Sequence, residues 1–318
     1  MTRHTDFRGV YPAITTPFRE DDRIDVDCLR ENARRLENAG VSGLVPVGTT
    51  GESATLTHDE HVHVVETVAD AVSIPVIAGA GSNSTREAIE LADRSAEAGA
   101  DALLLISPYY NKPEPAGMEA HFEAIADAVD LPQIVYNVPG RTGRDVPIDT
   151  AVSLAGHENV QGYKAASGDL GRLGEIVERT QKEEFDVLSG EDALTLPSLS
   201  LGATGAISVA ANVEPERTVA MVEAALEEEY DRARSLHREL GSLMRALFWE
   251  TNPIPIKEAL AIRDLAPAKT RSPLSRLSAD RRDALEAILA DLDGEGTDDA
   301  DHETDGRLSE RTEPAPER

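Results

Sequence analysis

Eight short runs rich in Val, Ile and Leu recur along the chain, each followed by a longer polar, alanine-rich stretch, and this alternation limits the possible folds more than any other feature. The runs are VYPAIT (10–15), GLVPVG (43–48), PVIAGAG (75–81), ALLLISP (102–108), PQIVYNV (132–138), VQGYKAA (160–166), DVLSGE (186–191) and GAISVA (205–210). They are continuously apolar rather than alternating, as strands buried on both faces are. Strands separated by helix-like stretches imply parallel βαβ crossovers. Eight such units predict an α/β fold, a (β/α)8 TIM barrel. The stretches between them carry helix stops: VDCLRENARRLENAG ends on Gly40 and TREAIELADRSAEAG on Gly99, and glycine accepts the left-handed backbone that follows a last turn.

After residue 213 no strand-like run remains, only helix-like stretches in PERTVAMVEAALEEEYDRARSLHRELGSLMRALF, KEALAIRD and SADRRDALEAILADL. The expected organisation is a catalytic barrel over 1–213, a C-terminal helical extension over 214–292 and an acidic tail over 293–318. That tail has almost no apolar residues to offset its ordering entropy and is expected to be disordered.

The net charge of −28, from 59 acids and 31 bases, argues against nucleic acid or an anionic membrane surface as partner. The tail does not account for it. Asp291–Arg318 carries eleven acids and three bases, a net −8, which leaves −20 on the rest. A body this acidic repels itself until salt screens it, so composition favours a salt-adapted protein over a merely soluble acidic one. One cysteine, Cys28, no apolar stretch of membrane-spanning length and no basic-then-apolar start in MTRHTDFRGV predict a cytoplasmic protein without disulfides.

In this barrel type chemistry sits where strands end, at one face. The second run leads into GTTGES (48–53), the fourth into PYYNKP (108–113), the fifth into YNVPGRTG (136–143), and the sixth carries Lys164. A lone strand lysine is usually a rim ion pair. Here Ala165, Ala166, Ser167 and Gly168 leave room beside the amine, and few acids nearby in sequence would pin it. Burial then lowers its pKa until neutral amine can attack a carbonyl, which is Schiff-base chemistry. Tyr136, at the end of the preceding run, is placed to move protons for such a lysine; core filling is its bland role. The small residues of GTTGES offer N–H groups and hydroxyls to a small carboxylate. Arg141 lies in a loop held by Pro139, Gly140 and Gly143. It could hold a second carboxylate or equally be an exposed loop arginine.

Three motifs point elsewhere only superficially. GTTGES lacks the GK[ST] of a nucleotide P-loop, and AGAGSNS (78–84) follows the third run and breaks the third glycine of a dinucleotide loop. In HDEHVH (58–63), His58 and His61 share a helix face, but His63 lies roughly 200° from His61 at 3.6 residues per turn. The three cannot converge on a metal.

Together with LSGED (188–192), GAISVAAN (205–212) and NPIPIKEAL (252–260), these strand-end motifs closely resemble the dihydrodipicolinate synthase/N-acetylneuraminate lyase family of class I, pyruvate-dependent lyases and aldolases. The resemblance runs from about Gly9 to Leu292, and is greatest to the synthase branch that opens diaminopimelate and lysine biosynthesis. It implies that Lys164 forms a Schiff base with pyruvate, and that Tyr136, Thr49 and Tyr110 relay protons, with Tyr110 reaching into a neighbouring subunit. Thr49 and Thr50 would hold the pyruvate carboxylate, with Gly190 and Ile207 lining that pocket, and Arg141 would receive the carboxylate of L-aspartate 4-semialdehyde. No cofactor or metal is implied, and the usual assembly is a homotetramer, a dimer of tight dimers. Ser53, Ala54, His58, His61, Asn83, Glu87 and Tyr109 match the positions that bind L-lysine as an inhibitor in lysine-sensitive members. One departure is Ala165, where the synthase branch commonly has Glu after the lysine.

A same-family aldolase acting on a 2-keto-3-deoxy sugar acid would usually lack Arg141. A non-catalytic barrel would be expected to have lost Lys164 or Tyr136, and a metal-dependent aldolase would need convergent ligands at the strand ends that the sequence does not offer.

Overall fold

The computed structural model describes residues 5–298. Among them seven strands form one sheet: β1 (Gly9–Pro12), β2 (Ile77–Gly79), β3 (Ala102–Ile106), β4 (Gln133–Asn137), β5 (Val160–Ala165), β6 (Asp186–Ser189) and β7 (Gly205–Ser208). Every pairing is parallel, in the order β1-β7-β6-β5-β4-β3-β2. The eighth expected strand, 43–48, is irregular, yet it lies between β1 and β2 and closes the barrel. Val45 N–H donates to Pro12 O at 2.9 Å and Gly79 N–H to Pro46 O at 3.1 Å, with single parallel bridges Ala13↔Val45 and Leu44↔Val76. Pro46 has no N–H for a ladder, and Val47 leaves extended backbone at φ 49. A β-branched residue in that region is strained, and it stands immediately before GTTGES.

Side chains alternate across each strand. Tyr11, Ala13, Val45, Ile77, Leu104, Ile134, Tyr136, Leu188 and Ile207 fill the barrel interior, whereas Leu103, Leu105, Val135, Tyr163 and Val187 pack outward against helices. Both faces are therefore buried, which explains the unbroken apolar runs. Each fully buried leucine contributes about 1.5–3 kcal/mol.

The barrel helices are α1 (Val26–Asn38), α2 (His58–Ala69), α3 (Thr85–Glu97), α4 (Pro115–Ala128), α5 (Pro139–Thr142), α6 (Ile148–Leu154), α7 (Leu170–Thr180) and α8 (Thr195–Ser200). Gly40 and Gly99 follow α1 and α3 with φ of 82° and 94°, as the stop signals require. Beyond β7, α9 (Pro215–Leu226) packs against β1 and α10 (Tyr230–Ala246). With α11 (Ile254–Ile262) and α12 (Ala279–Asp298) these helices enclose a second apolar core around Leu240, Leu243, Ile256, Leu260, Leu285 and Leu289. The expected tail boundary at 293 falls inside α12. Asp293 ion-pairs with Arg263 at 2.6 Å, so the helix is still anchored to the extension there. Residues 299–318 of the expected tail lie outside the described residues.

Candidate active site

The parallel register sets Tyr136 beside Lys164 across β4 and β5, and Lys164 beside Leu188 across β5 and β6. Lys164 points inward at the end of its strand and is 6% exposed, with Nζ 4.1 Å from the centroid of the Tyr136 ring. Burial pulls its pKa down to about 7, Arg141 pushes the same way, and Asp192 resists. Desolvation wins over the counter-charge, so about half the amine is neutral near pH 7. Tyr136 shifts the other way: burial raises its pKa, and the hydrogen bond with Thr49 and the charge of Arg141 offset only part of this. The phenol therefore keeps its proton at neutral pH and is a donor.

Lys164, Tyr136, Thr49, Thr50, Arg141 and Gly190 all line one cavity of about 890 Å³. Ile207 is buried on β7 within the interior cluster that also holds Tyr136. Gly190 N–H donates to Ala165 O at 2.7 Å, which brings the β6 end against the lysine. A Cβ at Gly190 would lie 2.9 Å from Lys164 Cε, so the lysine stem occupies space that a side chain would need. Arg141, on α5, is exposed at the cavity mouth, and its Nη2 donates to Asn252 O at 2.9 Å.

Tyr110 is not brought to the site of its own chain. It is 86% exposed, in the loop after β3, with a left-handed φ of 69°. Away from the cavity, His58 Nε2 lies 3.1 Å from Glu87 Oε1, and Ser82 also donates to Glu87. Burial raises the Tyr109 pKa, and the nearby charge of Glu87 adds to the rise. His61 is buried, and its pKa falls to about 4, chiefly from burial. Ser53 and Ala54 form the turn before α2, and Asn83 precedes α3. His63 points elsewhere, near Glu66 at 3.8 Å. Among the described residues no group of three or more His, Cys, Asp or Glu side chains could hold a metal ion, and no helix is long and apolar enough to cross a membrane.

Three contributions to the geometry and electrostatics of the cavity were not read from the sequence. Asp192 is 3% exposed and accepts from Ser208 Oγ at 2.5 Å and from the N–H groups of Val209 and Ala210 at 3.0 Å each. It is the acid that partly holds up the Lys164 pKa; the expectation of few pinning acids concerned neighbours in sequence, and Asp192 comes from beyond the next strand. Its place three residues past the β6 strand end, in LSGED, was the available signal. Asn252, buried between α10 and α11, donates from Nδ2 to Thr50 Oγ1 at 2.9 Å. Glu52, in the left-handed region at φ 56°, forms a buried ion pair with Lys257 of α11 and accepts from Arg271 N–H at 3.0 Å. The extension thus pins the GTTGES loop from behind. The motif NPIPIKEAL contains both Asn252 and Lys257, but nothing local assigned either a role.

The model of the dihydrodipicolinate synthetase family matches residues 6–292. A 4-hydroxy-tetrahydrodipicolinate synthase from Natronomonas pharaonis is 66% identical, over 91% of this chain and 99% of the relative. One from Haloarcula marismortui is 63% identical, over 92% and 96%. Among solved structures, a chloride-inhibited dihydrodipicolinate synthase from Acinetobacter baumannii complexed with pyruvate superposes with a TM-score of 0.88 at 41% identity, covering 90% of this chain and 99% of that one. The enzyme from Cyanidioschyzon merolae with lysine bound gives 0.86 at 39% identity, covering 90% and 98%.

Proposed function

The chain belongs to the dihydrodipicolinate synthetase family and is a lyase with 4-hydroxy-tetrahydrodipicolinate synthase activity, and we propose that it works through a Schiff base on Lys164. The observation that carries this reading is a buried lysine with a pKa of about 7 stacked on a tyrosine that stays protonated. Neutral Lys164 attacks the ketone carbon of pyruvate, and Tyr136 protonates the carbinolamine oxygen as it leaves as water. The iminium draws electrons from the methyl group, which loses a proton to give the enamine. The enamine carbon attacks the aldehyde of L-aspartate 4-semialdehyde, whose oxygen takes up a proton. The semialdehyde amine then adds to the iminium carbon, closes the ring and expels Lys164 as free amine.

Thr49 and Thr50 hold the pyruvate carboxylate, Gly190 and Ile207 shape its pocket, and Arg141 at the mouth takes the semialdehyde carboxylate with its remaining N–H groups. Arg141 disfavours a sugar-acid acceptor. The outward-facing Tyr110 suits completion of the Thr49–Tyr136 relay in a neighbouring subunit, within a homotetramer of paired dimers. His58, His61, Glu87 and Tyr109, with Ser53, Ala54 and Asn83, form an L-lysine site that inhibits the enzyme; a bound lysine is present in the C. merolae relative. The net charge of −28 and the haloarchaeal relatives fit a cytoplasmic enzyme working in high salt.

The test is condensation of pyruvate with L-aspartate 4-semialdehyde in high salt, followed through a coupled reductase. Turnover lost in Lys164→Ala supports the reading. Trapping of pyruvate without turnover moves the acceptor to another aldehyde.

A further inference from the structure

Asn252 touches both carboxylate sites with different groups. Its Nδ2 donates to Thr50 Oγ1 at 2.9 Å, and its backbone oxygen accepts from Arg141 Nη2 at 2.9 Å. The residue is 6% exposed and Thr50 is 2% exposed, so the first bond is shielded from water, whereas Arg141 is exposed and depends on such a contact to keep its long side chain in one place. A threonine hydroxyl has a single proton. Once Thr50 gives it to the pyruvate carboxylate, its oxygen can only accept from Asn252, which requires the N–H end of the amide. That fixes the amide orientation and leaves Asn252 Oδ1 as the end without a partner.

We propose that Asn252 is a positioning residue that couples the two substrate sites: donation to Thr50 holds the residue in place, and its carbonyl thereby sets the Arg141 guanidinium for the second carboxylate. The proposal rests on the substrate assignment above and adds a linkage to it. Pyruvate orders the Thr50 hydroxyl, the hydroxyl orders Asn252, and Asn252 prepares Arg141, so each substrate tightens the binding of the other.

The test is a double-mutant cycle on Thr50→Val and Asn252→Ala. It reads kcat and KM for both substrates, and also the pyruvate concentration at half-maximal borohydride trapping. One net hydrogen bond corresponds to about 2–12-fold in binding. Asn252→Ala should raise the half-trapping concentration and the semialdehyde KM by that factor with a smaller change in kcat, and should add nothing further in the Thr50→Val background. Additive effects, or a fall in kcat with both binding constants unchanged, would overturn the proposal. Asn252→Asp keeps the shape but has no N–H to donate, so wild-type constants in that variant would overturn it too. Should Asn252→Ala fail to fold, Asn252→Asp carries the same cycle. An error in the acceptor shows separately, as wild-type trapping without turnover, and additive trapping constants remain the refuting result in that case.

Discussion

Gly190 lies closer to Lys164 than any side chain could. A Cβ built there is 2.9 Å from Lys164 Cε, 2.9 Å from Ala166 Cβ and 3.0 Å from Ala165 O, against 3.4 Å for the start of ordinary contact. Gly190→Ala therefore creates an overlap of about 0.5 Å on three sides. Ala165 O is fixed by its bond to Gly190 N–H, and the Ala166 methyl moves only with its backbone. The lysine stem is the neighbour able to yield, and rotation about its bonds carries the amine off the Tyr136 ring. Misplacing a reacting group by about 1 Å costs on the order of 100-fold in rate, while the overpacking itself destabilises by about 1–3 kcal/mol. Borohydride trapping at saturating pyruvate, read as a rate, should fall by about 100-fold in a variant that keeps its far-UV and near-UV circular dichroism. A rate within about twofold of wild type in the folded variant would refute the reasoning, since a displacement of this kind cannot leave the amine in place.

Imine formation should follow the neutral fraction of Lys164: level above pH 7, falling tenfold per unit below the pKa of about 7. Asp192→Asn, by removing the charge that resists the fall, should move that limb to lower pH. A limb centred near the ordinary 10.5 would contradict both statements. Lys257→Met strands the buried Glu52 carboxylate and should cost about 3–5 kcal/mol in urea denaturation, with much of it recovered in the Glu52→Gln/Lys257→Met double variant; additive losses would show that the two groups are not paired. L-lysine at millimolar levels should slow the wild-type enzyme but not Glu87→Ala, and an unaffected wild-type rate would remove the regulatory site.

The strands were legible because burial on both faces writes itself into consecutive residues, as in ALLLI of β3. The segment 43–48 shows where that reading stops, since Pro46 and Val47 end regular pairing while the run stays apolar. Lys164 was legible for a local reason, its small neighbours. Its environment was not. Asp192 reaches the site from the end of β6, and Asn252 bonds to a threonine 202 residues away. The Glu52–Lys257 pair likewise joins a barrel loop to the extension. Contacts made by chain closure leave no periodicity, and a buried polar residue looks locally like an exposed one. Tyr110 illustrates the complement: its motif was visible, but a single chain leaves its side chain in solvent.

Five lysines are present, at 112, 164, 182, 257 and 269. Lys257 is also buried, yet its Nζ is committed to Glu52 and to Lys269 O. Reduction with borohydride in the presence of pyruvate, followed by peptide mass mapping, therefore tests the central claim most directly. The account predicts a pyruvyl adduct on Lys164 alone, absent from Lys164→Ala. An adduct on another lysine, or none on folded protein at pH 8, would contradict it.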